Sequence, residues 1–224
     1  LRDQWQLCLG DHGHVKYVPH GVWPRALPHS SRIRDREAMG ISTNARVLLV
    51  FGVQAVQRKH LETLLQAVSG FVSDKPLLLI FAGATLGKEP HPFTDWQDTG
   101  VGVRIDNSFI SEAQVELYFS IADAVWANYR DFPGASGVLL QAMGFGRLSL
   151  SSPEGEIGTL TREYQLGLLL ESNRVDHLRN TLNTFVTLTS ERQLAWERDI
   201  AGMAQRFTWP ETARKIMAEV GFAS

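Results

Sequence analysis

Two adjacent cations stand at a point in the sequence where a helix is about to begin. Residues Gly52 to Lys59 read GVQAVQRK, so Arg58 and Lys59 directly precede a segment of helical spacing. Because the amino-terminal end of a helix carries partial positive charge, two cations there repel it unless an anion lies between them. The pattern therefore predicts an anion-binding loop that runs from Gly52 to Arg58 and Lys59. The alternative is a pair of solvated surface charges.

A second loop offers backbone groups to the same kind of ligand. The sequence YRDFPGAS, 129–136, leads into a helical segment, and the residues at the junction, Ser136 and Gly137, are small. Small residues at a helix start let a phosphate reach the backbone N–H groups. The helix dipole favours an anion by about 0.3–1 kcal/mol, and each charge-assisted hydrogen bond adds about 1.5–3 kcal/mol. The alternative is a tight helix start in which Ser136 is an ordinary N-cap.

A third loop follows another predicted strand and contains an aromatic side chain. Asn107 to Ile110 read NSFI, and their backbone groups together with the ring of Phe109 could contact a nucleobase. Phe109 fits a place in the hydrophobic core equally well.

Other ligand-binding signatures are incomplete. The segment GATLGK, 83–88, is one residue short of a phosphate-binding loop and continues with Glu89 instead of Ser or Thr. No G-x-G-x-x-G opens a helix, so a nicotinamide or flavin cofactor lacks its usual cradle. His12 and His14 have no matching cysteine or carboxylate cluster, and the sequence contains no D-x-D pair. We therefore expect no cofactor and no metal site.

The elements that must position these loops follow a clear rhythm of short apolar runs and longer segments of helical period. Strands are predicted at 46–52, 77–83, 101–106, 123–128, 147–152 and 166–171. Helices are predicted from Leu61 to Val68, after Ser111 as N-cap, and at 136–145, 156–164, 174–187, 189–206 and 209–220. Upstream, a strand is predicted within KYVPHGVWP, 16–24, and a short helix around Asp35 to Met39. This alternation predicts an α/β fold with a Rossmann-like parallel sheet and helices on both faces.

Composition and charge limit the function classes. The 224 residues are 44% hydrophobic and 21% charged, which is ordinary globular usage, and we expect one domain over 1–224. In this domain 1–30 would form a leading strand and linker, and 207–224 a C-terminal helix. A net charge of −2 argues against nucleic acid as a partner. The single cysteine, Cys8, and the lack of a transmembrane segment favour a cytoplasmic protein, with peripheral association at the inner membrane face as an alternative.

Taken in order, these segments resemble the carboxyl-terminal domain of the GT-B fold glycosyltransferases of the group 1, family 4 type. The resemblance covers almost the whole chain. Four segments carry it, in this order: KYVPHGV, LLVFGVQAVQRKHLETLLQAV, FISEAQVELYFSIADAVWANYR and SGVLLQAMGFGRLSLSS. It implies a domain that binds a nucleoside-diphosphate sugar as donor substrate. The acceptor (sugar, lipid or protein) would be bound with an amino-terminal lobe, which we expect to be absent from a chain that starts without methionine.

The resemblance also implies roles for individual residues. Arg58 and Lys59 cover the position of the family's diphosphate-binding lysine, and Ser136 with Gly137 match the helix start that receives the phosphate. Gln141 stands where a hydroxyl-binding residue grips the ribose.

The sequence departs from the family at three places. Members usually carry two glutamates eight positions apart in this block, and Pro133 and Gln141 occupy those places here. Val53 replaces an arginine that usually follows the first-loop glycine. Asp131 is a candidate for a substitute catalytic carboxylate.

The sequence is therefore compatible with three functions. The first is a retaining, metal-independent sugar transferase. The second is a non-catalytic module of the same fold, kept for nucleotide binding or subunit assembly. The third is a different α/β protein, such as a sugar-nucleotide epimerase, for which no set of catalytic carboxylate and histidine is found.

Overall fold

The structure is a computed structural model that describes residues 18–86, 90–98 and 100–219. The strands are β1 (Arg46–Phe51), β2 (Leu77–Ala82), β3 (Val101–Asp106), β4 (Ala124–Ala127), β5 (Leu148–Ser151) and β6 (Gly167–Leu169). The helices are α1 (His29–Ala38), α2 (Leu61–Val68), α3 (Glu112–Ile121), α4 (Gly137–Gly144), α5 (Gly155–Glu163), α6 (Val175–Thr187), α7 (Ser190–Ala204) and α8 (Trp209–Glu219). The six central strands and the helices between them lie where the apolar periodicity predicts them.

The six strands form one sheet in the order β3-β2-β1-β4-β5-β6, and every neighbouring pair is parallel. The strand order reverses between β1 and β4, so the loops that follow these two strands diverge and leave a crevice. In open parallel sheets, ligands bind in such a crevice outside the carboxyl ends of the strands. The predicted α/β fold with a Rossmann-like parallel sheet is confirmed.

The hydrophobic core lies on both faces of this sheet. All six residues of β1 are buried. Leu48 and Val50 belong to one buried cluster, and Val47 and Leu49 belong to the other. Because successive side chains of a strand point to opposite faces, this division shows that helices cover the sheet on both sides.

The amino-terminal part of the described chain differs from the prediction. The strand predicted within 16–24 is reduced to a single bridge between Val22 and Thr208, since Pro19 and Pro24 have no N–H to donate to a ladder. Lys16 and Tyr17 lie outside the described residues, as do Cys8, His12 and His14, and residues 220–224 of the predicted C-terminal helix.

The short helix predicted around Asp35 is the end of the longer helix α1, which begins at His29. Apolar periodicity misses most of it because its buried side chains are the arginines Arg32 and Arg36. Both pair with the buried carboxylate of Asp123, at 3.4 Å and 2.7 Å. Ion pairs instead of apolar contacts thus attach this helix to the start of β4.

Candidate functional site

A cavity of about 1090 Å³ lies in the crevice between the loop that follows β1 and the loop that joins β4 to α4. Its wall is formed by residues 51–53 and 55–59 on one side, by Tyr129, Phe132, 136–138 and Gln141 on the other, and by Leu86. Six predicted ligand-binding residues line it: Gly52, Arg58, Lys59, Ser136, Gly137 and Gln141. The two predicted anion-binding loops therefore face one cavity.

Gly52 is the point where the two loops approach each other. Its φ of +80° is a left-handed conformation that side chains disfavour. A Cβ at this position would lie 3.8 Å from Cγ2 of Val138, in the first turn of α4, and 4.0 Å from Nζ of Lys59. The Lys59 ammonium and the start of α4 thus flank one narrow space above this glycine.

Lys59 is buried, with 4% of its surface exposed. Its Nζ donates a hydrogen bond to the carbonyl oxygen of Phe51, and its own carbonyl accepts from Nε1 of Trp126 on β4 at 2.8 Å. Burial, together with the neighbouring charge of Arg58, lowers the pKa of Lys59 to about 7. Because a phosphate oxygen would stabilise the charged form of Lys59, binding of a phosphate beside Nζ would raise this pKa again.

Arg58 is exposed and lies against the opposite wall of the cavity. Its guanidinium carbon sits 4.7 Å from the centre of the Phe132 ring, and its carbonyl oxygen accepts from the N–H of Arg130 at 2.8 Å. These contacts tie the loop after β1 to the loop after β4. A planar guanidinium that is held on an aromatic ring keeps its N–H groups available for a phosphate.

The start of α4 supplies backbone donors to the same cavity. Ser136 is the N-cap: its Oγ accepts from the N–H of Leu139 at 3.4 Å, and its carbonyl accepts from Leu140 at 3.0 Å. The helix itself therefore provides no acceptor for the N–H groups of Gly137 and Val138. A Cβ added at Gly137 would meet nothing within 4 Å, so this side of the helix start is open.

Two aromatic residues of the site were missed by sequence reasoning. Tyr129 and Phe132 line the cavity with ring centres 5.4 Å apart, and the Tyr129 hydroxyl accepts a hydrogen bond from Oγ of Ser136 at 3.2 Å. Burial raises the pKa of Tyr129. The available signal was the occurrence of two aromatic residues in a turn-rich loop that directly follows a buried strand.

Comparison with known proteins identifies the fold. No protein-family model and no curated protein sequence matches the chain. Among solved structures, Anabaena HepE in complex with UDP is similar over 99% of this chain and 61% of its own, with a TM-score of 0.74 and 17% identity. The sucrose-phosphate synthase of Thermosynechococcus elongatus is similar over 100% of this chain and 57% of its own, with a TM-score of 0.71 and 16% identity. WaaG, a glycosyltransferase involved in lipopolysaccharide biosynthesis, is similar over 90% and 55%, with a TM-score of 0.66 and 20% identity.

The chain has the fold of one half of a GT-B glycosyltransferase. It spans little more than half the length of these neighbours. The resemblance to the carboxyl-terminal half, noted from the sequence, agrees with them.

Three other residues predicted for the ligand do not line the cavity of this GT-B lobe. Oδ1 of Asn107 accepts from the N–H of Thr85 at 2.6 Å, and Ile110 packs against a buried cluster of the core. Phe109 is 89% exposed and therefore does not take the alternative place in the core, and its contact with a nucleobase stays a prediction. Their strand, β3, is the edge of the sheet, two strands away from the crevice beside β1. Leu86, in the loop after β2, lines the cavity instead.

Asp131, the candidate for a substitute catalytic carboxylate, also does not line the cavity. Asp131 is exposed and has a left-handed φ of +50°. Gln141, one turn into α4, lines the cavity, whereas Pro133 does not. Within the described residues, the wall of this cavity contains no aspartate or glutamate. The described side chains of the lining that can carry a positive charge are Arg58 and Lys59.

Two further properties concern the described part of the chain. No group of three or more histidine, cysteine, aspartate or glutamate side chains is placed there to hold a metal ion. None of its helices combines the length and the apolar character that crossing a membrane requires.

Proposed function

We propose that this chain is the donor-binding half of a glycosyltransferase, which holds a nucleoside-diphosphate sugar in the cavity between the loops that follow β1 and β4. The observation that carries the proposal is that Arg58, Lys59 and the start of α4 line one cavity, in which the Lys59 ammonium and the side chain of Val138 flank Gly52. A diphosphate is the part of such a donor that these groups would bind. The complexes of the structural neighbour HepE with UDP and with UDP-glucose support a nucleotide sugar as the ligand.

The same groups would assist the transfer. When the sugar leaves, negative charge builds on the departing diphosphate, and cations and oriented N–H groups stabilise it. In this proposal Arg58 and Lys59 do so without a divalent metal ion, and the family resemblance implies retention of the anomeric configuration. The acceptor would bind with a second lobe, because this chain covers only 55% and 57% of the length of two of the solved structures. We place the reaction in the cytoplasm, which fits the single cysteine of the sequence.

Calorimetric titration of the chain with UDP, GDP and ADP tests the proposal. At least one of the three is expected to bind at concentrations up to about the millimolar range. Arg58→Gln should weaken that binding about tenfold, since a hydrogen bond to a charged group contributes about 1.5–3 kcal/mol. The matched control is Arg198→Gln, which removes an exposed arginine of α7 outside the cavity lining and should leave the affinity unchanged. Absence of heat with all three nucleotides would rule the proposal out.

A second candidate function is favoured by the composition of the cavity wall. Without an aspartate or glutamate among its described residues, the lining offers no carboxylate to the sugar. A non-catalytic module of the GT-B type would bind nucleotide in the same place for regulation or subunit assembly. The discriminating assay follows UDP release from UDP-glucose by the full-length protein: nucleotide binding without release from any donor favours this module, whereas turnover excludes it.

A further inference from the structure

Tyr129 occupies a fixed position at the point where the cavity meets the start of α4. Its backbone N–H donates to Oγ of Ser152 at 2.7 Å, and its ring packs against Phe132. The hydroxyl lies 3.2 Å from Oγ of Ser136, the N-cap of the helix whose first N–H groups open into the cavity. The phenol is therefore held beside the proposed diphosphate position by contacts with three different loop residues.

The hydroxyls of Tyr129 and Ser136 can form more hydrogen bonds than the described residues supply. The Ser136 hydroxyl donates to the Tyr129 oxygen, and the Ser136 oxygen accepts from the N–H of Leu139. The two hydroxyls share one hydrogen bond but carry two O–H hydrogens, so one hydrogen is left to donate, and with Ser136 as the donor that hydrogen belongs to the phenol. No acceptor for that hydrogen is found among the described residues, and both side chains line the cavity.

The charge near Tyr129 determines which kind of acceptor this hydrogen can bind. The cation Arg58 acts on Tyr129 and stacks on the same Phe132 ring that packs against Tyr129. An acceptor that fits both a guanidinium and a phenol O–H is an anionic oxygen. Because burial raises the pKa of Tyr129, the phenol keeps its proton at neutral pH and acts as a donor.

We propose that Tyr129 donates its phenolic hydrogen bond to a phosphate oxygen of the bound nucleotide, with Ser136 orienting the hydroxyl. This inference rests on the proposed function, since it assigns a further residue to the same ligand. It adds a neutral donor to the two cations and the helix start. No motif in the sequence marks Tyr129 for this role.

The substitution Tyr129→Phe tests the inference because it removes one oxygen and keeps the ring. Binding of UDP, GDP and ADP is measured by calorimetry for the wild type and the variant. The variant should bind the preferred nucleotide about tenfold more weakly. The matched control is Tyr164→Phe, the same chemical change in a tyrosine outside this cavity, and it should bind like the wild type.

A second measurement is independent of the variant's folding. In wild-type protein labelled with 3-fluorotyrosine, the fluorine signals of the four tyrosines can be followed by nuclear magnetic resonance. Addition of the bound nucleotide should shift the Tyr129 signal more than the others.

The outcomes separate the two proposals. Nucleotide binding by the wild type, with equal affinity in Tyr129→Phe or with an unchanged Tyr129 fluorine signal, overturns the role of Tyr129 and leaves the proposed function intact. If the wild type binds none of the three nucleotides, both proposals fall. A tenfold loss in Tyr129→Phe that is absent in Tyr164→Phe supports both.

Discussion

Replacing Lys59 with methionine should make the ligand-free protein more stable while weakening its binding of nucleotide. The Lys59 ammonium is buried and makes one hydrogen bond, to the carbonyl of Phe51. Burial, reinforced by Arg58, lowers its pKa from 10.5 to about 7. Methionine fills a similar volume without a charge, so Lys59→Met removes the cost of burying a cation.

The magnitude follows from the pKa. Each pKa unit corresponds to about 1.4 kcal/mol, so below pH 7 the folded state disfavours the charged Lys59 by about 5 kcal/mol. Loss of the hydrogen bond to Phe51 offsets about 1.5–3 kcal/mol of this. The expected net gain in unfolding free energy for Lys59→Met is therefore about 2 kcal/mol at pH 6 to 7.

The gain should depend on pH in a defined direction. Between pH 7 and 10.5 the unfolded chain keeps a proton on Lys59 that the folded chain has released, so the wild type becomes more stable as pH rises. The advantage of Lys59→Met is thus largest below pH 7 and vanishes near pH 9, at about 1.4 kcal/mol per pH unit. Urea unfolding of both proteins at pH 6, 7, 8 and 9 measures this difference.

A control and two contrary results define the test. Lys215→Met removes a lysine of α8 that lies over the ring of Phe207, and it should change stability by no more than about 0.5 kcal/mol. A Lys59→Met protein that is less stable than the wild type at pH 6 to 7 would contradict this prediction. So would a stability difference that does not change between pH 6 and 9.

Three further outcomes are expected. At pH 8, nucleotide binding should take up close to one proton in the wild type and none in Lys59→Met, because the diphosphate raises the pKa of Lys59. Calorimetric titrations in buffers of different ionisation enthalpy measure this proton uptake, and equal uptake in both proteins would contradict the prediction. Gly52→Ala should lower the free energy of unfolding by about 1–2 kcal/mol and weaken nucleotide binding, since φ at Gly52 is +80° and the added Cβ would lie 4.0 Å from the Lys59 ammonium. Thermal unfolding measures the loss, and the control is Gly202→Ala, whose added Cβ meets nothing within 4 Å. Asp123→Asn should lower the free energy of unfolding by about 3–5 kcal/mol, because it breaks a buried ion pair of 2.7 Å with Arg36. Urea unfolding measures this loss, and a loss below about 1 kcal/mol would show that the pair does not stabilise the fold.

The sheet and the edge where the cavity lies could be predicted from the sequence because they depend on simple patterns. Runs such as 47–51 and 77–82 are apolar throughout, as expected for strands that helices cover on both sides. The rule that ligands bind outside the carboxyl ends of such strands then directs attention to the loops after them. Together, the apolar runs and this rule place Arg58, Lys59 and Ser136 at the same edge of the sheet, where they line one cavity.

The features that the sequence did not reveal depend on tertiary neighbours. Helix α1 lacks an apolar stripe because its buried residues are Arg32 and Arg36, whose partner Asp123 is distant in sequence. The loop around Phe109 follows β3, as the other site loops follow their strands. Only the strand order shows that β3 is the edge of the sheet, roughly 10 Å from β1 at about 4.8 Å per strand.

The two cations also look alike in the sequence. In the structure Lys59 is buried and Arg58 is exposed on an aromatic ring. Spacing alone cannot show this division, because it depends on the carbonyl of Phe51 and the ring of Phe132.

The most direct test of the account is a crystal structure of this chain with whichever of UDP, GDP and ADP binds it. The expected result is that phosphate oxygens lie within about 3.2 Å of the N–H of Gly137 or Val138 and within the same distance of Lys59 Nζ or the Arg58 guanidinium. A diphosphate bound elsewhere on the molecule, or one in the cavity that touches neither the start of α4 nor the two cations, would contradict it.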